Sequence, residues 1–282
     1  MIKIGIAGAS GYTGLELIRL LNGHPDVELA FLTSEMFQGQ NIAEVFPSLN
    51  QVVDLTLRPL DDSITKDCSV LFLALPHLAV MDKLPIYLQS DCKIIDLSAD
   101  YRLKDPKAYS DWYSVRHTHP ELLEQAVYGL PELYREAIQT AQFIANPGCY
   151  PTSVILALAP LLKTGWVDLG SIISDSKSGV SGAGRKPSLT THYTEVNEGI
   201  SPYGLGSHRH TPEMEQELSV LAGKPVRMTF SPHLVPMTRG MLSTVYINLN
   251  KAISDEKLVE HYRNFYKNEH FVRVLNPGKF AS

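Results

Sequence analysis

The first half of the chain alternates short apolar runs with stretches of helical periodicity. Apolar runs at Ile2–Ala7 and Val27–Thr33 predict two strands, and residues 15–21 between them have the spacing of an amphipathic helix. Further elements of both kinds follow, with strands predicted at 69–74, 93–97 and 142–145 and helices at 78–89 and 133–140. This alternation predicts an α/β fold with a Rossmann-type, doubly wound parallel sheet.

From residue 149 onward the pattern changes. An apolar helix is predicted from Pro151, and two more helices are predicted to start at N-caps Thr211 and Ser254. Partly alternating strands are predicted at 171–176, 227–235, 241–249 and 271–275. Such strands are typical of a mixed sheet with one solvated or interface face. The chain is therefore predicted to form a Rossmann-type domain at 1–148 and an α+β domain with a mixed sheet at 149–282.

Three glycines separate the first strand from the first helix, with the spacing G-x-x-G-x-x-G. Gly8 permits a tight turn, Gly11 lets a pyrophosphate approach the backbone, and Gly14 lets the helix pack closely. The usual spacing is G-x-G-x-x-G, and a simple turn is the alternative, but strand–loop–helix–strand order favours a dinucleotide-binding unit. The predicted cofactor-binding residues are Gly8, Ser10, Gly11, Tyr12, Thr13, Gly14, Thr33 and Ser34.

The end of the second predicted strand bears on the choice between NAD and NADP. An acidic residue is usual at this position in NAD-binding domains. Here the hydroxyls of Thr33 and Ser34 can bind a 2′-phosphate, whereas Glu35 would repel one if it pointed inward. The balance favours NADP(H) as the cofactor.

Cys149 lies where a short strand gives way to the apolar helix, after a turn at Pro147 and Gly148. A thiol at a helix N-terminus faces backbone N–H groups and the positive end of the helix dipole. Both favour the thiolate, which is the nucleophilic form. The alternative is a small buried core residue, but the turn and the helix start favour a nucleophile.

Residues 176–186 are rich in glycine and small hydroxyls and end in two cations, Arg185 and Lys186. Such a segment can form an anion-binding loop or a plain surface loop. Arg239, at a predicted turn between strands, can bind a carboxylate or phosphate by paired hydrogen bonds, or form a structural ion pair.

His208 and His210 precede a predicted helix, on a different segment from Cys149. A histidine there can act as a general acid or base, and a solvent-exposed pair is the alternative. No third and fourth ligand follow at convincing spacing, so no metal site is predicted.

The composition narrows the classes of partner. The 282 residues are 44% hydrophobic and 20% charged, with a net charge of −5, so no basic excess attracts nucleic acid or a membrane surface. Three cysteines are too few and too scattered for a disulfide framework. A start with a strand, without a signal peptide or membrane-length apolar run, predicts a cytoplasmic protein. The expected partner is a small-molecule substrate.

A nicotinamide-binding domain combined with an activated cysteine restricts the chemistry. The thiolate adds to an activated acyl carbon and expels a leaving group, hydride reduces the thioester to an aldehyde, and an imidazole moves the proton. An anion-binding loop suits a phosphate leaving group. These features together predict reduction of an acyl phosphate, or the reverse oxidation of an aldehyde.

The chain resembles the N-acetyl-γ-glutamyl-phosphate reductases. Its most distinctive match is Asn-Pro-Gly-Cys-Tyr-Pro-Thr at 146–152, which is similar to that family's active-site signature, and the loop at 177–185 is almost as distinctive. The matching stretches follow the family order along nearly the whole chain, at residues 5–14, 96–103, 127–133, 145–152, 177–185, 208–213 and 233–240.

The resemblance implies reduction of N-acetyl-γ-glutamyl phosphate by NADPH to N-acetylglutamate semialdehyde and phosphate, in arginine biosynthesis. It implies Cys149 as the nucleophile and favours His210 over His208 as the acid–base group. It also implies a homo-oligomer, a dimer or tetramer. The residues then expected beside the substrate are Ser178, Gly179, Arg185, Glu213 and Arg239.

Other activities stay open. Aspartate-semialdehyde dehydrogenases share the chemistry and the two-domain plan, and a relative acting on a carrier-bound aminoadipyl group is another alternative. Members of the resembled family continue beyond the point that matches Ser282, with a further strand and a closing helix. The chain is therefore expected to be C-terminally truncated, with an open cofactor pocket, and an inactive dinucleotide-binding fragment is the third alternative.

Overall fold

The computed structural model describes residues 1–280, which form two compact units. The first comprises Met1–Gly148 and Ser181–Thr191, and the second comprises Cys149–Val180 and the described part of His192–Ser282. The sequence prediction assigned 181–191 to the second domain, but this segment packs with the first unit. The predicted truncation after Ser282 lies outside the described residues.

The first unit contains a seven-stranded sheet in which every pair of neighbouring strands is parallel. Its order is β3-β2-β1-β4-β5-β7-β6. The predicted Rossmann-type sheet is therefore confirmed. The strands are β1 (Ile2–Ala7), β2 (Val27–Thr33), β3 (Leu57–Arg58), β4 (Val70–Leu73), β5 (Lys93–Asp96), β6 (Val127–Tyr128) and β7 (Phe143–Ala145).

Helices connect these strands and cover the sheet. They are α1 (Tyr12–Leu21), α2 (Ile42–Val45), α3 (Leu84–Tyr87), α4 (Pro106–Tyr113) and α5 (Pro131–Thr140), with 3-10 turns at Pro47–Leu49, Ile64–Asp67, Pro120–Gln125 and Leu189–Thr191. The neighbours Phe31 and Leu32 on β2 lie in different hydrophobic clusters. Because successive strand residues point to opposite faces, both faces of the sheet are buried, which explains the nearly continuous apolar runs of β1 and β2.

The second unit contains a four-stranded mixed sheet of order β11-β8-β10-β9. The strands are β8 (Ile173–Ser178), β9 (Ser201–Pro202), β10 (Thr229–Leu234) and β11 (Met241–Tyr246). β8 runs parallel to β10 and antiparallel to β11, as the predicted mixed sheet requires. The helices of this unit are α6 (Cys149–Leu162), α7 (Tyr193–Val196), α8 (His210–Ala222) and α9 (Asp255–Phe265). Residues Val180–Ala183, shared between the two units, form a 3-10 turn.

Helix α6 is held by hydrogen bonds from both of its neighbours. Pro160 lies inside the helix and has no N–H to donate to Leu156 O, and the hydroxyl of Tyr266 donates to that oxygen instead at 2.6 Å. On the sheet side, Ser153 Oγ lies 2.7 Å from Ser243 Oγ, which in turn lies 2.8 Å from Ser176 Oγ. These contacts fix the helix that begins at Cys149.

Several predicted boundaries are wrong, for identifiable reasons. The helix predicted at 78–89 is reduced to α3, because Leu78 has φ 74° and its N–H donates to both carboxylate oxygens of Asp100. Residues 271–275 form a turn and an exposed segment instead of a strand. β11 ends at Tyr246 instead of Leu249.

The caps predicted for the two helices of the second unit have opposite outcomes. Thr211 is not an N-cap: α8 begins at His210, and the N–H of Thr211 already donates to His208 O at 2.9 Å. Ser254 is confirmed as the cap of α9, since its hydroxyl accepts from Lys257 N. Within residues 1–280, every helix is too short or too polar to cross a membrane.

A buried carboxyl at the end of β5 generates a prediction about pH. Burial raises the pKa of Asp96 to about 7, while hydrogen bonds from Ser98 N and Ser98 Oγ, both 2.8 Å, oppose the rise. The folded chain therefore binds more protons than the unfolded chain between about pH 4 and 7. Stability contributed by this group is present at low pH and is lost as the pH rises through that window.

We expect Asp96→Asn to lose less stability than the wild type between pH 4.5 and 7.5, by about 3 kcal/mol. Urea unfolding at both pH values measures the difference. Asp91→Asn, at an exposed position just before β5, is the matched control and should follow the wild type. Equal pH dependence of Asp96→Asn and the wild type would contradict the assignment.

Candidate active site

The glycine turn between β1 and α1 has the geometry that the sequence predicts for it. Gly8 has φ 85°, and a Cβ there would lie 2.3 Å from Ala74 O. A Cβ on Gly14 would lie 2.6 Å from Ala9 Cα, whereas at Gly11 the nearest atom would be 3.7 Å away. Gly8 and Gly14 are thus required by the protein's own packing, and Gly11 leaves room for a ligand beside the start of α1.

The end of β2 is tied to this turn. Gly8 N donates to Thr33 Oγ1 at 3.3 Å, and the hydroxyls of Ser10 and Ser34 lie 2.8 Å apart. Tyr12 and Thr13, at the first two positions of α1, are exposed. The structure therefore brings all the predicted cofactor residues together at one edge of the parallel sheet.

Arg185 lies beside this turn, in the first unit, and not with Ser178 and Gly179 as the sequence grouping suggested. Its guanidinium donates to Ser10 O at 2.8 Å and lies over the Phe46 ring, 4.6 Å from the centroid. Glu35, the acidic residue that argued against a 2′-phosphate, accepts a hydrogen bond from Leu60 N at 3.4 Å. At this edge Arg185 is an exposed cation, whereas the Glu35 carboxylate already accepts a hydrogen bond from Leu60 N.

Cys149 is the first residue of α6, two positions earlier than the predicted helix start, and its thiol is exposed. Amides of a first helical turn have no partners within the helix, and the helix dipole adds positive potential. Both stabilise a thiolate at this position. The thiol is thus both accessible and electrostatically favoured as a nucleophile.

Two tyrosines that the sequence analysis did not single out flank Cys149. The hydroxyls of Tyr150 and Tyr203 lie 2.9 Å apart. Burial raises the pKa of both phenols, and negative charge on Cys149 raises each further. Both hydroxyls therefore stay protonated and can donate hydrogen bonds. Tyr150 adjoins the cysteine in sequence, but the sequence carried no signal for Tyr203.

The two histidines have different surroundings. The ring of His208 is packed against those of Tyr150, Tyr203 and Phe230, with centroids 5.3–5.5 Å away. Burial, followed by the charge of Arg209, lowers the pKa of His208 to about 4. His208 Nδ1 accepts a hydrogen bond from His210 N at 3.1 Å. His208 is thus a neutral member of an aromatic cluster.

His210 occupies the first position of α8, and its ring centroid lies 6.0 Å from that of Tyr150 and 4.8 Å from that of His208. Glu213 is buried one turn further along the helix. The structure thereby joins the cysteine and histidine segments through Tyr150, entirely within the second unit.

Ser178, Gly179 and Arg239 lie together at the end of β8. Ser178 is buried and is within hydrogen-bonding distance of the Tyr150 side chain. A Cβ on Gly179 would lie 2.9 Å from Arg239 N, so glycine is needed for this close approach. Lys177, in contrast, is on the other face of the sheet, where its ammonium lies 2.6 Å from Asp175.

Within residues 1–280, no group of three or more histidine, cysteine or carboxylate side chains is arranged to hold a metal ion. The second unit brings a thiol, phenol hydroxyls and imidazoles together in one region.

Comparison with known families gives matches to both units. Residues 3–141 match the family of semialdehyde dehydrogenase NAD binding domains, and residues 149–282 match semialdehyde dehydrogenase dimerisation domains. The first match establishes a nicotinamide dinucleotide cofactor, in agreement with the glycine turn.

Curated relatives match along the whole chain. An N-acetyl-γ-glutamyl-phosphate reductase from Geotalea daltonii is 54% identical over all of this chain and 82% of its own length. The reductase of the same name from Moorella thermoacetica is 52% identical over 99% of this chain and 81% of its own length.

Solved structures show the same fold at low identity. An aspartate semialdehyde dehydrogenase II complexed with ASA from Vibrio cholerae has a TM-score of 0.73 at 16% identity, over 100% of this chain and 83% of that one. An aspartate semialdehyde dehydrogenase with NADP from Candida albicans has a TM-score of 0.64 at 16% identity, over 95% and 76%.

The surroundings of the two histidines generate a prediction. Because burial lowers the pKa of His208 to about 4, we expect its ring to remain neutral from pH 5.5 to pH 9, about the working range of a neutral-pH enzyme. The ring C–H shifts in an NMR titration measure this, and His208→Asn identifies the signal. A titration midpoint above about 6 would contradict the buried, neutral assignment.

Proposed function

The chain belongs to the semialdehyde dehydrogenase family, among the N-acetyl-γ-glutamyl-phosphate reductases, and we propose that it performs their reaction by covalent catalysis on Cys149. In this proposal N-acetyl-γ-glutamyl phosphate is reduced with NADPH to N-acetylglutamate semialdehyde and phosphate, a step of arginine biosynthesis. The observation that supports it best is the exposed Cys149 thiol at the start of α6, with two protonated phenols beside it.

The first step follows from the state of the thiol. The Cys149 thiolate attacks the γ-carbonyl carbon, the bond from that carbon to the phosphate oxygen breaks, and a thioester forms as phosphate leaves. Hydrogen bonds to the carbonyl oxygen stabilise the negative charge that develops there. One phenol of the Tyr150–Tyr203 pair donates to the other, and the second phenol can donate to the carbonyl oxygen, because both hydroxyls stay protonated.

The second step reduces the thioester. When bound, the nicotinamide supplies the hydride for the thioester carbon. His210 donates a proton to the carbonyl oxygen as the hydride arrives and takes the same proton back as the carbon–sulfur bond breaks, so that the aldehyde and the Cys149 thiolate are released. His210 is preferred over His208 because a base with a pKa of about 4 is weak near neutral pH.

The substrate's own charge requires polar partners. Ser178, Gly179 and Arg239 form a polar group at the end of β8, and Glu213 lies on the same helix as His210. We assign these four residues to substrate binding. The structural grouping of Ser178 with Tyr150 supports this assignment.

The first unit fits a dinucleotide, and we propose NADP(H) rather than NAD(H). The bare Gly11 at the start of α1 leaves room for a pyrophosphate. The Ser10 and Ser34 hydroxyls and the Arg185 guanidinium lie at the same edge and suit a 2′-phosphate. We therefore assign Arg185 to cofactor binding, whereas the sequence analysis expected it beside the substrate.

A homo-oligomer is part of the proposal. The face of the mixed sheet turned away from α6 carries exposed apolar side chains on neighbouring strands, among them Ile173, Leu242 and Tyr246. Exposed contiguous apolar surface is typical of protein interfaces. The match to a dimerisation domain supports association through this unit. We therefore still predict a dimer or tetramer, located in the cytoplasm.

The carrier-bound aminoadipyl and aspartate semialdehyde activities are the second candidates. The aspartate enzymes share the fold at only 16% identity, whereas relatives above 50% identity carry the acetylglutamyl name. The third candidate, an inactive dinucleotide-binding fragment, is separated from the others by direct measurement of turnover.

Replacement of the nucleophile tests the proposed reaction. We expect Cys149→Ser to lower phosphate-dependent oxidation of N-acetylglutamate semialdehyde by NADP⁺ at least about a thousandfold, because a hydroxyl is a far weaker nucleophile. NADPH binding, followed by fluorescence titration, should not change.

Cys68→Ser is the matched control and should keep wild-type turnover. Retained activity in Cys149→Ser would contradict thioester catalysis. Faster wild-type turnover of aspartate semialdehyde would favour the second candidate, and a wild-type chain that binds NADPH without any turnover would favour the third.

The cofactor assignment is tested at Arg185. Arg185→Met keeps an apolar stem against Phe46 but removes the charge, so we expect the KM for NADP⁺ to rise about tenfold with little change for NAD⁺. Steady-state kinetics with both cofactors measures the effect. Lys186→Met, at the exposed neighbour, is the control. An equal effect on NAD⁺ and NADP⁺ would exclude a 2′-phosphate contact.

The acid–base assignment is tested by comparing the histidines. We expect His210→Asn to lower kcat about a hundredfold with unchanged NADPH binding, since proton transfer is lost. The same variant should change the pH profile of kcat/KM, whereas His208→Asn should leave the profile unaltered. A larger effect on kcat from His208→Asn, with the pH profile altered only in that variant, would reverse the assignment.

A further inference from the structure

Two cysteines of the first unit form a contact that the reductase chemistry does not use. Cys68 lies just before β4 and Cys92 just before β5, and their sulfur atoms are 3.6 Å apart. They lie at the amino ends of these parallel strands. The glycine turn follows the carboxyl end of β1, so the cysteine pair is at the opposite edge of the sheet from the cofactor residues.

The two thiols differ in access to solvent. Cys92 is only 3% exposed and belongs to the hydrophobic core of the sheet. Cys68 is half-buried and lines an open cleft of about 500 Å³ whose wall includes Lys3, Arg58 and Lys66. A small reagent can therefore reach Cys68 through the cleft, whereas Cys92 is buried and does not line the cleft.

The two thiols also differ in acidity. A hydrogen bond with Cys92 lowers the pKa of Cys68, and the nearby Arg58 guanidinium lowers it further, against the opposing effects of burial and of Asp67. The same hydrogen bond, together with burial, raises the pKa of Cys92. Cys68 is thus the better nucleophile, and Cys92 keeps its proton until Cys68 has reacted.

We propose that Cys68 and Cys92 form a reversible redox site, in which a hydroperoxide oxidises Cys68 and Cys92 closes an intramolecular disulfide. The contact between the two sulfur atoms, with one of them facing an open cleft, carries this inference. It does not depend on the proposed reductase function, because neither thiol belongs to that site.

The chemistry balances in two steps. The Cys68 thiolate attacks one oxygen of hydrogen peroxide, the O–O bond breaks, and hydroxide leaves and takes up a proton as water, so that Cys68 becomes a sulfenic acid. The Cys92 sulfur then attacks the Cys68 sulfur, the S–O bond breaks, and the departing hydroxide combines with the thiol proton of Cys92 as water. Two thiols lose two electrons in total, and one peroxide is reduced to two waters.

The test uses the full chain with Cys149→Ser, which leaves only Cys68 and Cys92 as thiols. We expect hydrogen peroxide to remove both alkylatable thiols together, and dithiothreitol to restore both. Mass spectrometry without reduction should find the Cys68 and Cys92 peptides joined, in a chain that is not crosslinked to another copy. Circular dichroism before oxidation confirms that the variant is folded.

Two further variants separate the roles. In Cys149→Ser/Cys92→Ser, the sulfenic acid on Cys68 cannot be resolved, so labelling by dimedone should rise about tenfold. In Cys149→Ser/Cys68→Ser, the buried Cys92 should stay reduced at the same peroxide concentration.

Three results would overturn the proposal. One is a Cys149→Ser chain that keeps both thiols at peroxide concentrations that oxidise a cysteine-containing peptide. Another is over-oxidation of Cys68 while Cys92 stays alkylatable. The third is a disulfide that forms only between copies of the chain.

Discussion

The chemistry proposed for the second unit depends on the first turn of α6. Cys149 is the first residue of this helix, and the unpaired amides and positive dipole end of a first turn are what would stabilise its thiolate. The helix contains Pro160, which removes one internal hydrogen bond, and Tyr266 from beyond α9 supplies the missing donor to Leu156 O. Serine hydroxyls join the other side of the helix to the sheet through Ser153 and Ser243. Tertiary contacts thus maintain a helix that holds a reactive residue at its exposed end.

Burial has opposite effects on the groups around this thiol, and the effects are complementary. It raises the pKa of Tyr150 and Tyr203, so the phenols keep the protons that a developing oxyanion needs. It lowers the pKa of His208, so this imidazole stays neutral and leaves the thiolate as the negative group of the cluster. Low polarity therefore suits both residue types for the proposed chemistry, because it disfavours whichever form carries charge.

In the first unit, the main constraint is the close approach of backbone segments at the glycine turn. Gly8 and Gly14 lie where a Cβ would overlap main-chain atoms, so the turn can be tight only with glycine at both positions. The same edge of the sheet collects hydroxyls from the end of β2 and the guanidinium of Arg185. Arg185 is distant in sequence from the glycine turn, and only the return of segment Ser181–Thr191 to this unit brings it beside Ser10.

The local sequence pattern was sufficient to predict β1, α1 and β2. The apolar runs of the two strands are buried on both faces of a parallel sheet, and the glycine turn before α1 is encoded in residues close together in the chain. The pattern also pointed to Cys149 and to the histidine segment as candidates, and the structure connects these two segments through the rings of Tyr150 and His210. The pattern failed at 78–89, where Leu78 has a left-handed conformation and its N–H donates to Asp100. It also failed at Thr211, because α8 already begins at His210.

The sequence by itself determined the fold class, the family and the glycine turn, and it identified Cys149 as the candidate nucleophile, since these depend on periodicity and on residues close together in the chain. Only the tertiary structure brought Tyr203 to Cys149, distinguished His208 from His210, moved Arg185 to the cofactor edge and joined Cys68 to Cys92. Each of these depends on burial or on contacts across many residues of chain, which no local pattern specifies.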